Sequence, residues 1–274
     1  MKYVITLLVL SIAFLQVKAQ QKLPQFQEEV ILINGVSVNV TKALISGDIK
    51  QVRKSWLSFV KRQLKEKMKE EGGVLLIKQT VINQITDKRG DLMAYMYKDD
   101  DRVSLNVAYK LGYDVYLNSA LYAIEFEKLT EFMNFFLQNY YQDYLPGQIK
   151  NKNKSLHVLK KESSSAQKTI KSLQSKNKKL EKTTKKSQKK ISKMERNMAS
   201  AKDDETKSKI TIEHADLLLK LNETNSIIAD NKALIETQES ILSSLTPKID
   251  ALSKEITSLK LTLIEVRSKV KTSK

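Results

Sequence analysis

The chain has 274 residues with 48 Lys/Arg against 31 Asp/Glu, a formal net charge of +17, and no cysteine. That excludes disulfides, thiol chemistry and a lipid-modified mature N-terminus, while scarce Gly and Pro beside abundant Lys suit long helices. The charge is uneven: residues 1–149 hold 19 basic against 16 acidic side chains, Lys150 to Arg196 hold 17 against 3, and the remainder holds 12 against 12.

At the N-terminus Lys2 precedes an apolar run from Tyr3 to Val17, and Val17-Lys18-Ala19 leads to Gln20. A basic start, a short apolar core and small residues two apart make residues 1–19 a secretory signal. As a membrane span the run falls short of the roughly 20 apolar residues a bilayer requires. The mature chain is therefore expected to begin near Gln20, exported to the periplasm or the cell exterior, with no membrane span after cleavage. Residues 20–29 read as a linker.

Within Val30 to Val40, Val36, Val38 and Val40 alternate with Ser37, Asn39 and Thr41, which predicts a half-buried strand with a bulge or bend at Gly35. Ser46-Gly47-Asp48 offers caps for a helix whose Ile49, Val52, Trp56, Phe59, Val60 and Leu64 recur at helical spacing, its basic tail ended by Gly72-Gly73. Strands follow over Val74 to Ile82, Leu92 to Tyr97, Val103 to Tyr109 and Tyr113 to Leu117. Asp87-Lys88-Arg89-Gly90, Asp99-Asp100-Asp101 and Leu111-Gly112 are read as the turns between them. Tyr122, Phe126, Leu129, Met133, Phe136, Leu137, Tyr140 and Tyr144 form the apolar face of a second helix, which Pro146-Gly147 is expected to break. Residues 30–146 thus predict an α+β domain, an antiparallel curved sheet with two helices on one face.

Beyond it, two apolar heptad runs mirror one another. The first places Ile149, Leu156, Leu159, Ala166, Ile170, Leu173, Asn177, Leu180, Thr184, Ser187, Ile191, Met194 and Met198 at positions a and d. The second places Ile210, His214, Leu217, Leu221, Thr224, Ile228, Asn231, Ile235, Gln238, Leu242 and Leu245 there and continues to Val270. Folding the chain at Asp203-Asp204-Glu205 pairs layers whose numbers sum to 408, always a against d, as antiparallel helices require. Asn177 then meets Asn231, Leu180 meets Ile228, Thr184 meets Thr224 and Leu173 meets Ile235. A long antiparallel coiled-coil hairpin follows: an outgoing helix 148–202, a turn 203–205 and a returning helix 206–272. Each arm is roughly 75 Å long at about 1.5 Å per residue. Pro247, at an outward position in an unbroken heptad, predicts a kink in one helix rather than a second turn. Residues past Leu263 are expected beside the second helix of the α+β domain.

The order of elements resembles the TATA-binding-protein repeat fold. The whole chain is similar to an uncharacterised family of exported Bacteroidetes proteins, in which such a domain precedes a C-terminal coiled coil. The likeness rests on the Val17-Lys18-Ala19-Gln20 signal end, the helix from Val52 through Trp56 to Lys61, the Leu105 to Leu117 hairpin and the appended heptads. It implies this fold and an exported location, and supplies no activity and no catalytic residues.

Two surfaces stand out on the hairpin. Lys178, Lys179, Lys182, Lys185, Lys186, Lys189, Lys190 and Lys193 form a basic surface on the outgoing arm. They could contact a polyanion such as lipopolysaccharide, nucleic acid or an acidic glycan in a salt-sensitive, sequence-blind way. No aromatic residue interleaves to stack bases, and Lys lacks the bidentate grip of Arg, so a solvated helix face is the simpler account. On the returning arm Ile227, Leu234 and Ile241 sit at g positions, opposite only Thr169 and Lys176. This interaction stripe predicts protein partners, self-association as a homodimer first, the plainer account being a loosely packed hairpin with three partly exposed aliphatics.

Other motifs have plainer readings. Arg89-Gly90-Asp91 is expected to be a charged turn, and Asp99-Asp100-Asp101 a hairpin turn without the spacing of a calcium loop. His157 and His214 lie far apart, and His214 falls at a core position opposite Met194. No phosphate-cradling glycine loop or nucleophile elbow occurs, and Glu125, Glu127, Asp143 and Asp114 show no pairing. No catalytic, cofactor-binding or metal site is expected. The chain reads as a non-enzymatic, exported cell-envelope scaffold or adaptor. Polyanion binding through the basic arm, or regulation of envelope hydrolases, are the alternatives.

Overall fold

The structure, a computed structural model, describes residues 24–272; the secretory signal expected over 1–19 lies outside them. The described residues divide into two compact units, 24–150 together with 257–272, and Asn151–Ile256.

The first unit holds an antiparallel seven-stranded sheet. Its strands are β1 (Gln27–Ile33), β2 (Val36–Ser46), β3 (Lys69–Glu71), β4 (Val74–Val81), β5 (Arg89–Asp99), β6 (Arg102–Gly112) and β7 (Val115–Tyr116), in the order β1-β2-β6-β5-β4-β3 with β7 on β6. Helix α1 (Ile49–Leu64) follows β2, capped by Asp48, whose carboxylate accepts from the Lys50 amide at 2.8 Å. Helix α2 (Ala123–Ser200) follows β7, and α3 (Asp204–Thr272) ends the described chain.

Alternation along the strands sends one set of side chains to a helix-covered face. Ala43 and Ile45 of β2, Leu92 and Ala94 of β5 and Leu105 and Val107 of β6 are buried there against Val52, Trp56, Phe59 and Val60 of α1 and Leu129, Phe136 and Leu137 of α2. Trp56 meets Phe132 and Phe136 edge-on, with centroids 6.2 and 5.0 Å apart, the geometry the ring quadrupoles favour. Leu259 and Val266 of α3 belong to the same core, so the C-terminal end of α3 is clamped to this unit as the heptads led us to expect.

The opposite face is buried by the sheet itself. β2 pairs with β6 only from Thr41 to Ser46, and its first half leaves with β1. Ile33, Val38, Val40, Val74, Ala108 and Tyr116 form a second apolar cluster, and the Asn34 side-chain amide reaches within 3.1 Å of where a Gly72 Cβ would stand. The β1–β2 hairpin therefore curls over the sheet to the β3–β4 turn.

Several expected boundaries move. The strand expected over Val30 to Val40 is a hairpin. Asn34 and Gly35 both have positive φ and form its two-residue turn, and β1 starts inside the expected linker. Gly72-Gly73 does not end a helix: α1 stops at Leu64 with Lys65 left-handed, and the glycines turn β3 into β4. The last sheet turn is Tyr113-Asp114 rather than Leu111-Gly112, because those two residues take the left-handed conformations such a turn requires. Asp100-Asp101 is a hairpin turn as read, between the paired Asp99 and Arg102.

Pro146-Gly147 does not break the second helix; α2 runs through both. Pro146 removes one amide donor, but buried Leu145 and half-buried Ile149 keep the following turn packed on the core, and Gly147 does not take a positive φ. α3 likewise runs through Pro247 as one helix.

In the second unit, α2 and α3 form the antiparallel hairpin. Asn231 donates its side-chain amide to the Asn177 carbonyl oxygen at 2.8 Å, and Lys152 reaches Glu255 at 2.7 Å, both in the expected register. Each a and d residue named above is buried or half-buried. The reversal falls at 201–203, slightly before the expected 203–205. Asp203 caps α3 by accepting from the Thr206 amide at 2.7 Å, and Asp204 and Glu205 occupy the positive first turn.

Candidate interaction surfaces

Heptad packing decides what the hairpin leaves outward. Positions a and d are consumed by the seam, so b, c and f carry the solvent face and e and g flank it. Lys178, Lys179, Lys182, Lys185, Lys186, Lys189, Lys190 and Lys193 of α2 are all exposed. Among the described residues no carboxylate stands within ion-pair distance of any of them. The fold brings them into one cationic surface in which Glu181 is the single acid between residues 178 and 193.

The stripe on α3 is open in part. Ile227 and Leu234 are 49% and 52% exposed, while Ile241 is half-buried. Such β- and γ-branched side chains in water are a standing gain for any apolar cover, about 25 cal/mol per Å² removed from solvent. Beside them lie carboxylates that the sequence reading passed over. Asp216, Glu223 and Asp230 fall at successive c positions of α3, adjacent to g on the same flank, and all are exposed. Asp216 holds Lys220 at 2.6 Å, and that contact raises the lysine above its ordinary range. The heptad position of each acid was the signal that could have found them.

Other sites resolve into structure. Arg89-Gly90-Asp91 is not a turn but the start of β5: the Asp91 carboxylate accepts from the Gln79 amide at 2.8 Å. A Cβ on Gly90 would fall 2.4 Å from the Lys110 carbonyl and 2.5 Å from the Tyr109 ring. Glycine is present because β6 passes that close. His214 lies at its seam position with Nε2 3.5 Å from Glu195, while His157 is exposed. Among the described residues no cluster of His, Asp or Glu could hold a metal. A small cleft of about 130 Å³ lies between Ile49 and Arg53 of α1 and Leu75, Ala94 and Met96 of the sheet. Arg53 is turned to Glu70, and the walls are otherwise mainly apolar.

Comparison with protein-family models, with curated proteins and with solved structures finds no match to this chain. Among the described residues no helix is long and apolar enough to cross a membrane. The hairpin surfaces therefore carry the functional reading on their own chemistry.

Proposed function

We propose that the protein is a non-enzymatic, exported scaffold or adaptor of the cell envelope, working through the flanks of its helical hairpin. The observation that carries this is the exposed pair Ile227 and Leu234 on a hairpin whose seam is already filled. A surface of that kind is suited to a protein partner, and a long hairpin to holding partners at a distance. The exported location rests on the signal read at 1–19, and kinship with the exported Bacteroidetes family belongs to the same proposal.

Proximity labelling with the full chain in its native cell tests this reading. We expect envelope proteins to be enriched, and the enrichment to fall when Ile227 and Leu234 are changed to Glu. Equal labelling by both forms overturns it. Co-purification of a peptidoglycan hydrolase would narrow the role to regulation of envelope hydrolases.

The eight exposed lysines favour a second reading, a polyanion-binding module for lipopolysaccharide, nucleic acid or acidic glycan. Its affinity should fall steeply with salt, because cations on the protein release counterions from the polymer. Replacing Lys185, Lys186, Lys189 and Lys190 by Glu should abolish it; salt-independent binding, or binding that survives the change, removes this alternative.

A further inference from the structure

We propose that the flank of the hairpin formed by positions c and g is a self-complementary interface, and that its occupant is a second copy of this chain. This rests on reading the hairpin as the interaction element and names the partner. In an antiparallel pair the g positions of both helices lie on one side, with c next to them. On that side α3 presents Asp216, Glu223 and Asp230 at c and Lys220, Ile227, Leu234 and Ile241 at g, with Lys220 held by Asp216. α2 presents Lys193, Lys186 and Lys179 at c, with Lys190, Thr183, Lys176 and Thr169 at g; Lys190 stands level with Lys220 of the second copy, which Asp216 neutralises.

Two hairpins placed side by side about a two-fold axis parallel to their length keep every residue at its own height. The register within one hairpin then also governs contacts between copies. Asp216 stands level with Lys193 of the second copy, Glu223 with Lys186 and Asp230 with Lys179. Each of these pairs sums to 409, within one residue of the intramolecular layer sum. The match also ends together: where α3 turns neutral at Thr237 and Ser244, the facing c residues of α2 are Ser172 and Ser165. At g, Leu234 stands level with Lys176, whose alkyl stem can cover it while the ammonium reaches water. Ile227 and Ile241 face Thr183 and Thr169.

A two-fold interface of this kind repeats each contact, so three acid–lysine pairs become six. Packing α3 on α3 instead would set acid rows against one another, which like charges disfavour. Charge complementarity therefore selects α3 against α2 of the partner copy: Glu223 and Asp230 meet lysines they do not reach in their own chain, and Asp216, which already holds Lys220, stands between two.

Sedimentation of the full chain at tens of micromolar and low salt should give a dimer that weakens as salt rises. Two triple variants test the pairing: Lys179→Glu, Lys186→Glu, Lys193→Glu, and Asp216→Lys, Glu223→Lys, Asp230→Lys. Each alone should dimerise on the order of a hundredfold more weakly, given six exposed pairs. Mixed one to one, they should form a mixed dimer, because both faces then meet opposite charge. Unchanged helicity by circular dichroism shows that each variant is folded. A monomeric natural chain overturns the proposal, and so does either variant dimerising as tightly as the natural chain. A monomer leaves the adaptor reading to the labelling experiment. A dimer that labels no envelope protein removes the adaptor reading and keeps this one.

Discussion

Asn231 and Asn177 share one side-chain hydrogen bond of 2.8 Å across the hairpin, 54 residues apart in sequence, with Asn177 buried. Two amides facing one another in the seam fix the register, since any slip leaves both without a partner.

Asn231→Leu should therefore bury an unpaired Asn177 amide and lower stability by about 1–3 kcal/mol. Changing both residues to Leu should recover most of that loss. Urea denaturation followed by circular dichroism checks this, and additive losses in the double variant would contradict the pairing.

Gly47 sits between β2 and α1 at a φ of +136°, with the Tyr140 hydroxyl 2.2 Å from where a Cβ would stand. That hydroxyl donates to the Ser46 carbonyl at 2.8 Å, so it is not free to retreat. Gly47→Ala should cost at least about 1–3 kcal/mol through backbone strain and the clash. Adding Tyr140→Phe removes the obstructing oxygen but not the strain. The double variant should be more stable than the sum of the two single losses allows, by thermal denaturation.

Tyr109 is fully buried, and burial pushes its phenol up to about 12, with Asp91 adding to the shift. Its hydroxyl lies 2.7 Å from the Thr80 carbonyl and 2.9 Å from that of Lys88. Burial raises Tyr140, Tyr141 and Tyr144 as well. An unfolded chain releases such protons near pH 10, the folded one only higher. The contribution is thus whole below pH 10 and is lost as pH climbs towards 12 and beyond. Denaturation at pH 8, 10 and 11 should show this decline. Tyr109→Phe should lower stability at pH 8 yet flatten the alkaline slope; an unchanged slope would remove Tyr109 from the account.

The Asp203 carboxylate accepts from the Thr206 amide, and that bond holds it below the usual carboxylate range. Its contribution is present above that range and is lost as pH falls through the lowered value. Asp203→Ala should speed hydrogen exchange at Thr206 and the neighbouring first-turn amides, while Asp203→Asn should preserve most of the protection. Equal exchange in both variants would count against the cap.

The hairpin was legible because its signal is local and periodic. A 3.5-residue repeat on each arm, with matching polar layers at Asn177 and Asn231, states both the helices and their register before any contact is known. The exposure of Ile227 and Leu234 followed from the same letters. The carboxylates at 216, 223 and 230 were equally present in the sequence, but acquire a role only when a neighbouring flank is considered. In the α+β unit the two helices and the middle strands were legible from period. The Asn34-Gly35 turn was written plainly in two residues suited to left-handed conformations, yet the valine alternation around it read as one strand.

Read alone, the sequence determined the two helices and middle strands of the α+β unit, its α+β class and the antiparallel seam, since these depend on spacing along one segment at a time. The tertiary structure decided that Pro146-Gly147 lies within α2, because distant core contacts of Leu145 and Ile149 outweigh one missing amide. It also decided that the β1–β2 hairpin covers the second face of the sheet. That choice depends on Ile33 and Val74, about 40 positions apart, entering one apolar cluster, and no local pattern encodes it.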